Sequence, residues 1–121
     1  MARKYKYIQK PTEYTIMWIL VMFDLPVLTK TQMRKATQFR NNLLELGFIR
    51  KQFSVYLRPC ENMAAAERMA EKVGLCLLEE GEVSVFFITD RQYGLTRNFF
   101  GKKKKRNEQQ EFQAMQQLLL F

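Results

Sequence analysis

The sequence predicts one α+β domain: four strands in a single antiparallel sheet and two helices on one face, in chain order β-α-β-β-α-β. Three observations carry this. The chain has 121 residues, enough for one core and too few for two. Apolar runs at 17–24 and 82–90 have the length and bounded ends of strands. Between them, two stretches with apolar residues at steps of three or four flank an extended segment.

The first run, Met17-Trp-Ile-Leu-Val-Met-Phe-Asp24, is apolar up to its last residue. This is the pattern of a strand covered on both faces. Leu25-Pro26 stops it, because proline cannot donate to a ladder. Thr29 followed by Gln32 forms a capping box that opens a helix. Along that helix Met33, Ala36, Phe39, Leu43 and Leu46 make one buried stripe, and Gly47 ends it. Phe48 to Arg58 reads as two short strands with a bend near Gln52, ending before Pro59. Asn62 caps a second helix whose apolar face uses Met63, Ala66, Ala70, Val73 and Leu77, and Gly81 ends the connection. Glu82 to Asp90 is rich in β-branched and aromatic residues and forms the last strand. This order is the ferredoxin-like split pattern. Two helices cover only one sheet face, so half of the first strand, and either Val85 and Phe87 or Phe86 and Ile88, must look the other way. Wet apolar surface costs about 25 cal/mol per Å², and a homodimer built through the sheet removes it.

Residues 1–16 are polar, with Pro11 among them, and form an N-terminal extension to the domain at 17–100. Met17, directly before the first strand, offers an alternative translation start. Residues 101–121 form a basic linker, Lys102-Lys-Lys-Lys-Arg106, then a Gln-rich connector and the apolar tail Leu118, Leu119, Leu120 and Phe121. Chain ends are usually polar, so this tail is expected to dock on a protein surface.

Composition narrows the function. The chain is 47% hydrophobic, with one Trp, five Tyr and ten Phe, which suits a globular core and excludes a disordered protein. Lys and Arg total 20 against 12 acids, a net charge of +8. A small domain with that charge favours polyanions, because neutralising phosphates releases counterions. The charge is polarised. Glu61 to Glu82 holds six acids and only Arg68 and Lys72 as bases; the rest of the chain has 18 bases and six acids. Arg50, Lys51, Arg58 and the first helix provide positive charge on fixed elements, which suits a duplex backbone.

Cys60 and Cys76 are the only thiols and there is no histidine. The two cysteines read as reduced, cytoplasmic residues. They lack the CxxC spacing of a zinc site. Without histidine, any hydrolysis relies on a carboxylate or on metal-activated water. The longest apolar stretch, Ile16 to Phe23, is too short to span a bilayer. It ends at Asp24 with no small-residue cleavage site, which excludes a secretory signal.

Several segments together resemble one family. Trp18-Ile-Leu-Val-Met-Phe-Asp-Leu-Pro26, Thr29-Lys30, Arg34-Lys35 and Phe39-Arg40 look like the opening of the CRISPR-associated Cas-two proteins of type II. Gly47-Phe48, Gln52, Ser54-Val-Tyr56 and Arg58 continue the likeness. Thr89-Asp90-Arg-Gln92 and Gln117-Leu-Leu-Leu-Phe121 extend it, especially toward subtype C. The order and spacing of these segments carry the resemblance, which covers roughly 17–121; the first sixteen residues depart from it.

The resemblance implies a homodimer that bridges two dimers of the Cas-one integrase, holds a double-stranded prespacer and delivers it to the CRISPR repeat during spacer acquisition. It also implies an alternative, a metal-dependent endonuclease acting on DNA or RNA, with Asp24 as the Mg²⁺ (or Mn²⁺) ligand and catalytic carboxylate. A toxin-like mRNA interferase is a third reading. Asp24 is the only acid between Glu13 and Glu45, so one protomer offers few local ligands. Mg²⁺ tolerates sparse protein ligation. Lys30, Arg34, Lys35, Arg50, Arg58 and Arg91 are the expected DNA contacts, with Ser54 supporting phosphate or metal-bound water. Leu118 to Phe121 is the expected integrase contact.

Overall fold

The computed structural model describes residues 11–102; the first ten residues, the basic run after Lys102, and Leu118, Leu119, Leu120 and Phe121 lie outside them. The elements are β1 (Met17–Asp24), α1 (Lys30–Glu45), β2 (Ile49–Gln52), β3 (Val55–Cys60), α2 (Met63–Gly74), β4 (Glu82–Thr89) and a short α3 (Asp90–Gly94). The sheet order is β2-β3-β1-β4, and every neighbouring pair is antiparallel. The β-α-β-β-α-β order therefore stands, with β1 and β3 at the centre.

Burial alternates along β1: Met17, Ile19, Val21 and Phe23 are buried, and the residues between them are not. The buried set packs with Phe39 and Leu43 of α1 and Ala66, Met69 and Val73 of α2. Phe23 and Phe39 meet edge to face, with ring centroids 5.1 Å apart, the geometry that ring quadrupoles favour. Val83, Val85 and Phe87 of β4 pack against this core. Phe86 and Ile88 therefore take the far face. The reading of β1 as covered on both faces is corrected for the single chain, where only one face is sealed.

Other boundaries differ for physical reasons. β3 continues through Pro59 to Cys60. β2 pairs with β3 only as far as Leu57, so Pro59 lies where β3 has no neighbour on that side, and its missing N–H is tolerated. Met33 and Leu77 are exposed; Met33 sits in the first turn of α1, and α2 has already ended at Gly74 before Leu77 is reached. The helix α3 was not anticipated. Its N-cap Thr89 and Gln92 form the same reciprocal capping box as Thr29 and Gln32. Among the described residues no helix is long and apolar enough to cross a membrane.

Candidate functional site

Register places three groups on the sheet face away from α1 and α2. From β1 come Trp18, Leu20, Met22 and Asp24; opposite them on β4 lie Ile88, Phe86, Ser84 and Glu82; on β3 lie Pro59, Leu57 and Val55. Cross-strand partners share a face. The result is an apolar platform with two carboxylates at one end. Trp18, at the other end, stacks on Tyr93 with ring centroids 4.0 Å apart and donates its indole N–H to Asp90 Oδ1 at 2.7 Å. This clasp turns α3 back across the face. The chain beyond α3 reaches the opposite edge, where Lys51 donates to Asn98 Oδ1. Burial holds the Lys51 ammonium below its usual pKa and pushes the Tyr93 phenol up.

Asp24 is exposed and ends β1, directly opposite Glu82. Sequence reasoning missed Glu82 because it is 58 positions away and falls within the acidic segment. Like charges facing each other across a ladder destabilise it, so the pair is suited to accept a cation. Ser54 lies close by, since the Phe23 N–H donates to the Ser54 carbonyl at 3.1 Å. Among the described residues no cluster of three or more Asp, Glu, Cys or His forms. Two carboxylates suit Mg²⁺, which keeps several waters and takes phosphate oxygens, better than a fully protein-ligated ion.

Lys30, Arg34 and Lys35 are exposed on α1, whose first turn carries no acid. Arg50 is exposed on β2 and Arg91 on α3. Arg58 has a different position. Its side chain shares the helix-covered face with Tyr56 and Cys60. There it donates to the Leu46 carbonyl at 2.6 Å and contacts Met69 Sδ at 3.3 Å. The guanidinium thus closes the C-terminal end of α1, where cations are favoured. It also packs beside Gly47, whose φ of +89° carries the chain into β2. Arg58→Met should cost about 2 kcal/mol, the worth of a charge-assisted hydrogen bond, read as a lower urea midpoint with an unchanged slope.

Burial raises the Cys60 thiol pKa, only partly opposed by Arg58. Less thiolate exists at neutral pH, so this cysteine is a packing residue rather than a nucleophile.

Across residues 17–95 the chain matches the family model described as CRISPR associated protein Cas2. The chain belongs to the Cas2 family. Relatives named CRISPR-associated endoribonuclease Cas2 include one from Paracidovorax avenae, 45% identical over 94 residues that cover 78% of this chain and 87% of the relative. Another, from Flavobacterium psychrophilum, is 39% identical over 109 residues, covering 90% and 91%. A solved structure described as a crystal structure of cas2 superposes with a TM-score of 0.50 at 15% identity, covering 76% of this chain and 97% of that one. This last likeness concerns the fold alone. The Cas2-family match begins at Met17, the first residue of β1.

Proposed function

We propose that this Cas2-family protein is a two-fold scaffold for double-stranded DNA in CRISPR spacer acquisition, bridging dimers of the Cas-one integrase, which performs the chemistry. The supporting observation is an apolar sheet face that the chain's own segment after β4 covers only in part, leaving Met22 and Phe86 about half exposed, on a chain whose basic residues sit on rigid elements. A second copy placed face to face removes that surface from water. The two α1 helices then offer Lys30, Arg34 and Lys35 twice, and Arg50 and Arg91 extend the positive surface. The tail Leu118 to Phe121 serves as the integrase contact in this reading.

The test is sedimentation together with duplex titration across salt concentration. Six phosphate contacts, three from each α1, give a slope of log K against log salt of about −5. A chain that stays monomeric, or duplex binding indifferent to salt, would sink the scaffold.

A second reading, metal-dependent phosphodiester cleavage, is favoured by the Asp24–Glu82 pair and by the endoribonuclease name of the relatives. Asp24 and Glu82 would hold Mg²⁺ or Mn²⁺, which supplies Lewis-acid polarisation of a phosphate oxygen. The chain's own part is to fix both carboxylates at a strand end and leave them open to solvent. Asp24→Ala is expected to remove Mg²⁺-dependent cleavage of RNA or DNA while duplex affinity stays within about twofold, because one exposed carboxylate removed from a basic surface weakens no phosphate contact. Equal cleavage by the variant would rule out this site.

A further inference from the structure

The helix-covered side carries a second constellation, remote from the platform. Arg40 of α1 places its guanidinium carbon 4.8 Å from the centre of the Phe53 ring, and Arg50 of β2 lies 5.1 Å from the same ring. Phe53 stands in the turn between β2 and β3 and is 65% exposed. An exposed aromatic ring at a hairpin tip gains little for the fold. Here it holds two cations near each other. Arg40 Nε is buried without a hydrogen-bond partner, and among the described residues neither guanidinium forms an ion pair or a hydrogen bond. Arg40 also reaches toward Phe23, 5.9 Å from its ring centre. Both cations act on the Tyr56 hydroxyl, whose pKa burial nevertheless raises, so the phenol stays protonated beside them as a neutral donor.

Two arginines side by side repel, and a buried donor without an acceptor gives up the hydrogen bond it would make to water. Both costs vanish when an anion with several oxygens enters. A planar guanidinium matches phosphate with two parallel hydrogen bonds, and an aromatic ring under it restricts its rotation. We infer that Arg40, Arg50 and Phe53 form a phosphate-binding clamp at the β2–β3 tip, which takes a phosphate group of a nucleic acid. The inference rests on the duplex-binding reading and adds to it a contact on the side of the sheet opposite the dimer platform. The phosphate is either an internal phosphodiester or a terminal monoester; the chemistry recognised is the same.

The experiment measures duplex affinity and its salt slope for the full chain, for Arg40→Gln, for Arg50→Gln and for Phe53→Leu, each checked for an unchanged melting temperature. Three probes are used: a duplex with 5′-phosphates, the same duplex with 5′-hydroxyls, and a closed dumbbell without ends. Either arginine variant is expected to bind about tenfold more weakly and to reduce the magnitude of the salt slope by about 2, since a two-fold scaffold loses one phosphate contact from each chain. Phe53→Leu, which keeps both charges, is expected to lose about threefold. A loss confined to the phosphorylated duplex assigns a terminal phosphate, and an equal loss on the dumbbell assigns an internal one. Arg50 is exposed on an edge strand, so its variant folds and decides the matter should Arg40→Gln unfold. Arg50→Gln with wild-type affinity and slope overturns the clamp. Failure of the unsubstituted protein to bind any of the probes overturns instead the reading beneath it.

Discussion

Glutamates placed together at Met22 and Phe86 are expected to turn the proposed dimer into monomers while leaving each chain folded. Both side chains lie on the far face and are 46% and 47% exposed in the single chain, so a charge at either position stays solvated in the monomer. In a face-to-face dimer the substitutions bring four carboxylates into a closed apolar layer. The penalty for burying an unpaired ion is several kcal/mol, and even 4 kcal/mol weakens association roughly a thousandfold. Sedimentation at micromolar concentration should show a single species near the 14.5 kDa of one chain, with an unchanged far-ultraviolet spectrum. Duplex affinity should fall with it, and the salt slope should approach half, because each monomer presents one α1 instead of two. A variant that stays dimeric would place the interface elsewhere.

The dimensions of the platform bear on how that interface closes. The strands are eight, four, six and eight residues long and lie about 4.8 Å apart, so one sheet face covers roughly 400 Å², below the roughly 800 Å² per partner of a standard stable interface. The sheet face therefore needs flanking help. Leu95, Phe99 and Phe100, all exposed in the segment after α3, offer apolar surface that can supply it. The Trp18–Tyr93 stack and the Asp90 hydrogen bond start that segment across the face, and Lys51 with Asn98 holds it at the far edge.

Whether a structural feature is legible in the sequence depends on whether its signal is local. The Thr29–Gln32 capping box and the uninterrupted run from Met17 to Phe23 are local, and both elements fall where expected. The Thr89–Gln92 box is equally local, yet α3 spans only five residues and is too short to display helical periodicity. The face taken by β4 was undecidable from its own residues, since Val85 and Phe87 are as apolar as Phe86 and Ile88. Only the register with β1 resolves it, Val85 pairing with buried Val21. Arg58 illustrates the same limit. A basic residue in a strand looks like a surface contact until strand parity turns it beneath the sheet toward Leu46. Glu82 and Arg40 become visible as site residues only once distant elements meet.

Gly81 shows how tightly one end of the site is built, and Gly81→Ala is the second large effect. This residue has φ +96°, and a Cβ there would lie 2.7 Å from Leu25 Cδ2 and 2.8 Å from the Asp24 carbonyl oxygen. The leucine methyl can rotate away; the backbone oxygen cannot without moving the end of β1. The positive φ costs a side-chain-bearing residue about 1–3 kcal/mol, and displacing Asp24 adds to it, so a loss of about 3 kcal/mol is expected. That corresponds to a melting temperature lower by roughly 10–15 °C. Gly74→Ala supplies the opposite sign. Gly74 closes α2 with nothing within 4 Å of an added Cβ, and replacing a helical glycine with alanine gains about 0.5–1 kcal/mol. Because the oxygen that Gly81 accommodates belongs to Asp24, Gly81→Ala should also depress any Mg²⁺-dependent cleavage, even at temperatures where the variant is fully folded. Wild-type stability in Gly81→Ala would mean that β4 does not enter the sheet against the end of β1, and the opposition of Asp24 and Glu82 would fall with it.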